Sequence, residues 1–150
     1  MKPRLNYFQT EPEIMAAVLD LSNAVNDCGL DAGLLHLVKL RASQINGCSY
    51  CVEMHTREAR ADGETEQRLY LVSAWRESPL FSARERAALA WTEALTRITE
   101  GVTDALYDEV ASEFEPADLT RLTVAVSMIN TWNRIAISAR MIHPVTRAAA

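Results

Sequence analysis

The stretch LVKLRASQINGCSYCVEMHTREAR, residues 37 to 60, contains the break on which the fold turns. Asn46-Gly47 lies in its middle, a pair that ends helices because glycine enters the left-handed conformation without a Cβ clash. Upstream, Leu34, Leu35, Val38, Ala42 and Ile45 recur at helical spacing behind Asp31, whose side chain can cap the first turn. Downstream, a new helix is expected from residue 48 or 49 to about residue 62, where Asp62-Gly63 closes it. On that helix Cys48, Cys51 and His55 are three and four apart and share a face. Helical side chains lean toward the N-terminus, so the His55 imidazole is expected to reach back over the Cys51 sulfur.

The rest of the chain reads the same way. Ile14, Val18, Leu21, Val25 and Cys28 form one apolar stripe that ends at Gly29. A shorter helical piece covers about 65 to 75, and Pro79 then breaks the chain. Ser82-Ala83-Arg84-Glu85 is a capping box opening a helix with Ala88, Trp91, Leu95 and Ile98 on one side. A short helix over 103 to 114 precedes the last, from about 116 to 142. That last helix carries one stripe at Leu119, Leu122, Val126, Ile129 and Ala136, and a second at Val124, Met128, Trp132 and Ile135. A helix apolar on two sides needs two things to pack against, and the second is expected to be another subunit. No sustained alternation of period two marks a strand. The expectation is an all-α, single-domain bundle over residues 1–150, with about six to seven helices, that forms an oligomer.

Composition narrows the function classes. A chain of 150 residues buries a core without staples. The net charge of −5 and the scattered basic residues argue against a nucleic-acid footprint. No apolar run reaches the roughly 20 residues of a membrane span, and no apolar stretch follows the basic start MKPR, so neither a membrane anchor nor a signal peptide is expected. The expected location is the cytoplasm. Three cysteines are too few for a secreted disulfide framework, so the close pair Cys48 and Cys51 is read as metal-binding or catalytic. Cys28, at the end of an apolar stripe, is read as a buried inert thiol.

Haem attachment requires histidine directly after the second cysteine, where this chain has Val52. Structural zinc takes four ligands, usually as two pairs. Here the motif supplies three on one continuous helix, and a fourth would have to come from distant His36, His143 or a carboxylate. A thioredoxin-like pair would follow a strand, and none is legible. No metal and no organic cofactor is therefore expected. Redox chemistry fits best: His55 takes the thiol proton or stabilises the thiolate. The first turn of the helix favours an anion at Cys51, and Cys48 is close enough to bridge.

These residues carry a family resemblance. LVKLRASQINGCSYCVEMHTREAR, with Cys-x-x-Cys-x-x-x-His after a Ser-Gln-Ile-Asn-Gly lead-in, resembles the alkylhydroperoxidase D family within the carboxymuconolactone decarboxylase-like superfamily. LFSARERAALAWTEALTRIT and VAVSMINTWNRIAISARMIHP look like its later helices, so the likeness covers roughly residues 20 to 145. The resemblance implies an all-helical fold, homo-trimers or homo-hexamers, and peroxidase or thiol-disulfide activity. It assigns attack on the peroxide to Cys51, resolution to Cys48 and the base to His55. Two positions depart from the pattern. The family's relay glutamate, twelve residues before the first cysteine, is His36 here; Tyr50 stands between the cysteines, where some members have histidine. His36 can still pass protons, since imidazole titrates near neutrality.

The leading expectation is thus a hydroperoxide reductase restored by an external dithiol, with no nucleic-acid or membrane partner. Leu40, Val52, Met54 and Trp132 are candidates for an apolar substrate wall. The alternatives are a general thiol-disulfide oxidoreductase, a lactone decarboxylase and a non-catalytic scaffold or zinc module. Asn130, Asn133 and Arg134 are read as interface or pocket-wall residues, Glu53 and Glu58 as facing water, and His143 as a helix-end cap.

Overall fold

The computed structural model describes residues 1–145, and among these it contains eight α-helices and no strand. They are α1 (Tyr7–Thr10), α2 (Pro12–Asn26), α3 (Ala32–Asn46), α4 (Ser49–Ala61), α5 (Glu66–Leu71), α6 (Ala83–Thr96), α7 (Asp104–Glu113) and α8 (Pro116–Ala139). Short 3-10 turns follow α5 and α6. The count exceeds the expected six to seven by the single-turn α1. None of these helices is long and apolar enough to cross a membrane.

Local chemistry sets the helix ends. Asp31 Oδ1 accepts the Leu34 N–H at 2.8 Å and starts α3. Ser82 and Glu85 close a reciprocal capping box on α6, at 3.2 and 2.7 Å. Gly47 ends α3 with φ +69°, and the Cys48 N–H returns to the Ser43 carbonyl at 3.0 Å. This turn reverses the chain into α4 within two residues.

Helix α3 is the centre of the molecule and packs against α4, α6 and α8. One side of it gives Leu34, Leu35 and Val38 to a core shared with Trp91, Leu122 and Val126. The other gives Leu37 and Leu40 to a second core with Leu69, Trp75 and Leu89. Fully burying such side chains contributes about 1.5–3 kcal/mol each.

Two elements differ from their sequence reading. On α2, Ile14 and Leu21 are exposed, while Met15 and Val25 are buried, with Val18 packed beside them. The Trp132 indole N–H donates to Ser22 Oγ at 3.1 Å, which turns a polar residue of α2 toward α8. Helix α2 is apolar around most of its circumference, so its period alone names no single face. The second stripe of α8 differs as well. Met128 and Trp132 are covered by the protein's own N-terminal helices, with Phe8 stacked on Trp132 at 6.3 Å. Helix α8 also stops at Ala139 instead of residue 142. Arg140 takes a left-handed conformation at φ 55°, and the Met141 N–H returns to the Ala136 carbonyl at 2.9 Å. His143 therefore caps no helix; its Nδ1 donates to the Pro144 carbonyl.

Candidate functional site

The site is built on the reversal between α3 and α4. Asn46 closes α3, and its Nδ2 donates to Asn130 Oδ1 at 2.9 Å and to Asn133 Oδ1 at 2.8 Å, both on α8. Asn133 donates in turn to Ser43 Oγ at 3.0 Å, and Asn130 to Thr96 Oγ1 at 3.1 Å. A buried amide left unpaired is costly, so this closed network fixes the last turn of α3, and the motif that follows it, against α8. Asn130 and Asn133 are thus internal ties of one chain. Arg134 supports them by donating to the Asn130 carbonyl at 2.8 Å.

Cys48 and Cys51 are joined as a disulfide with Cα atoms 5.4 Å apart. Cys48 is the N-cap of α4 and not yet helical. Its sulfur accepts the Cys51 N–H at 3.4 Å, so that helix-terminal amide serves Cys48. Both cysteines are 2% exposed, and they pack with Ala136, Tyr50 and Met141. Cys51 nevertheless forms part of the wall of a cavity of about 290 Å³ between α2, α3, α4 and α8; Cys48 does not. Tyr50 and Met54 share that wall with Val25, Met128, Ile129 and Trp132. Leu40 and Val52, expected there, belong to the second core instead.

His55 lies on the same wall, one helical turn after Cys51. Its Nδ1 is 3.1 Å from Glu58 Oε2, and its Nε2 is buried without a hydrogen-bond partner. With Nδ1–H donating to the carboxylate, Nε2 carries the free lone pair and is the basic nitrogen. Burial pushes the His55 pKa down, against an opposing pull from Glu58. The hydrogen bond from His55 holds the Glu58 carboxyl below its usual range, with burial opposing. Glu58 was expected to face water. Its position three residues after His55 on one helix is the signal that places it on the same face.

His36 is not part of the cavity wall. Its Nε2 is 2.7 Å from Asp62 Oδ2, and its Nδ1 is buried without a partner. When protonated it acts electrostatically on both His55 and Glu58. Cys28 is a half-buried free thiol packed on the first core. The spacing of the motif also gave no indication of Lys39, whose side chain reaches the cavity from α3.

Comparison with known proteins places the whole chain and its fold. Residues 12–94 match the model of the carboxymuconolactone decarboxylase family. The chain is 37% identical over 139 residues to the uncharacterized protein YdfG of Bacillus subtilis (strain 168), covering 92% of this chain and 95% of that one. It superposes with a TM-score of 0.94 on a protein of unknown function from Agrobacterium tumefaciens, proposed as an antioxidant defence protein of the AhpD kind. That pair is 46% identical, covering 97% of this chain and 100% of the other. The debrominase Bmp8 shares the fold at a TM-score of 0.84 and 17% identity, over 91% of this chain and 74% of its own. A dithiol held at the mouth of α4 is therefore built on a family scaffold: the chain belongs to the carboxymuconolactone decarboxylase family and is of its AhpD-like type.

Proposed function

We propose that the protein is a dithiol peroxidase that reduces organic hydroperoxides. The observation that carries this reading is the Cys48–Cys51 pair with only its second sulfur on a cavity wall, beside a histidine whose free nitrogen is buried. In the reduced protein His55 Nε2 takes the Cys51 proton. The thiolate attacks the terminal peroxide oxygen, the O–O bond breaks, and the departing alkoxide leaves as the alcohol with the proton from His55. Cys51 is then a sulfenic acid. The Cys48 thiol displaces its oxygen as water and forms the disulfide. An external dithiol attacks Cys51, and Cys48 leaves as a thiolate toward the Cys51 N–H. His36, on the exposed Asp62 carboxylate, is assigned the outer end of the proton path.

The burial of both cysteines supports a small substrate over a protein disulfide. The test is stoichiometric. The reduced protein, mixed with cumene hydroperoxide, is expected to lose two thiols for each peroxide consumed. Peroxide loss without loss of the Cys48 and Cys51 thiols would exclude the mechanism.

A pH profile examines the base. His55 must be neutral to accept the proton, and burial lowers its pKa, so the acid limb of thiol oxidation is expected below the ordinary histidine value of about 6.5. In Glu58→Gln the carboxylate that raises the His55 pKa is gone. The limb moves further toward acid, and kcat/KM falls by about tenfold or more, part of the roughly 10²–10⁴ that a positioned base contributes. An unchanged profile would remove Glu58 from the reaction.

A further inference from the structure

Lys39 is the unexplained group in the cavity. It projects from α3 into the same wall as Cys51, half-buried, and its Nζ donates to Asn26 Oδ1 at 2.6 Å. It has no ion-pair partner among the described residues. Glu58 acts on it only through space, its Oε2 being taken by His55, and burial lowers the Lys39 pKa. Buried cations are ordinarily paired with an anion, because desolvation is otherwise uncompensated. Across the cavity the wall is apolar: Met128, Ile129 and Trp132. The cavity therefore has an oily side, a reactive sulfur and one cation with no anion in direct contact, the Glu58 carboxylate sharing its wall but held by His55.

We propose that the cavity takes an organic hydroperoxide that carries a carboxylate, the acid group on Lys39 and Asn26, the apolar body on α8, and the peroxide at Cys51. This deepens, and rests on, the peroxidase reading. Lys39 interacts with His55 and Glu58, four and seven residues beyond Cys51 on a helix rising about 1.5 Å per residue. His55 and Glu58 are thus about 6 to 10 Å from Cys51 along the axis of α4, a stretch of wall several bonds of an aliphatic chain long. The Glu58 carboxylate does not cancel the attraction. Its side chain is 44% exposed, so water screens it, whereas the ligand's acid group meets Lys39 directly.

The test uses non-reacting probes on the disulfide form, where no turnover intervenes. Isothermal titration of octanoate and octan-1-ol into the native chain is expected to give octanoate the tighter binding by about tenfold or more, the range of a charge-assisted hydrogen bond. The ratio is expected to fall to near one in Lys39→Met and in Lys39→Gln, and to survive in Lys39→Arg. Equal affinities for the two probes in the native chain, no octanoate binding, or a preference surviving both neutral variants would overturn the proposal. The two readings fail separately. Hydroperoxide turnover without a Lys39-dependent preference removes the carboxylate site and leaves the peroxidase. Lys39-dependent octanoate binding in a protein that turns over no hydroperoxide does the reverse.

Discussion

Cys51→Ser is expected to lose hydroperoxide turnover by about three orders of magnitude or more, while Cys48→Ser keeps the first chemical step and loses only the cycle. The two sulfurs belong to one bond but occupy different surroundings. Cys51 is on the cavity wall beside His55, and Cys48 is set behind it as the cap of α4. A serine hydroxyl at 51 is too weakly acidic to be ionised by a histidine and cannot take up the peroxide oxygen. A serine at 48 leaves the nucleophile and base untouched, so that variant should consume one equivalent of peroxide and stop as a sulfenic acid at Cys51. Dimedone labelling followed by mass spectrometry locates the adduct. Retained multiple turnover in Cys51→Ser, or the adduct at Cys48 of the native sequence, would reverse or remove the assignment.

The parts of this arrangement that sequence reveals are those governed by neighbours along the chain. Asp31 and Ser82 cap helices because their side chains bond amides three residues on, a local rule that spacing reports directly. Gly47 breaks the chain where Asn46-Gly47 says it should, and the Cys-x-x-Cys-x-x-x-His spacing places Cys51 and His55 on one wall. What stays hidden depends on partners far along the chain. Helix α2 offers apolar residues on several sides, and only Trp132 of α8, 110 residues away, decides that Ser22 faces inward. The amide pair between Asn46 and Asn133 spans 87 residues, and neither residue type announces such a bond. Lys39 reads as an ordinary surface lysine until the reversal at Gly47 brings α2 and α4 around it. Glu58 is the intermediate case: its i, i+3 relation to His55 was available in the sequence, but its charge favoured a reading toward water.

The largest change in stability is expected from a residue outside the site, Glu93 on α6. Its carboxylate is nearly buried and accepts from Arg41 Nε at 2.7 Å, the Trp75 indole at 2.9 Å and Arg76 Nη1 at 2.5 Å, with Arg97 Nη1 at 3.7 Å. One side chain thus ties α3, the 3-10 turn after α5, and α6 together. Burial alone would raise the Glu93 pKa, but the hydrogen bonds from Trp75, Arg76 and Arg41 outweigh it and hold the carboxyl below its usual range. Glu93→Ala removes the acceptor these donors share and leaves the largely buried Arg41 without its carboxylate, with only a 3.5 Å contact to Gln44 Oε1 beside it. Breaking a buried pair from one side costs roughly 3–5 kcal/mol, equivalent to a fall of roughly 6–20 °C in Tm for a chain of this length. The pH dependence follows from the direction of the shift. A carboxyl whose folded pKa lies below its unfolded value contributes fully above about pH 4.3, and the contribution is lost as pH falls through the folded value. Thermal unfolding of both proteins should therefore show a gap that is constant near neutrality and narrows in acid. A Tm for Glu93→Ala within about 2 °C of the native chain at pH 7 would mean that the four-way contact adds no net stability, and that α3 is held against α6 by its apolar faces alone.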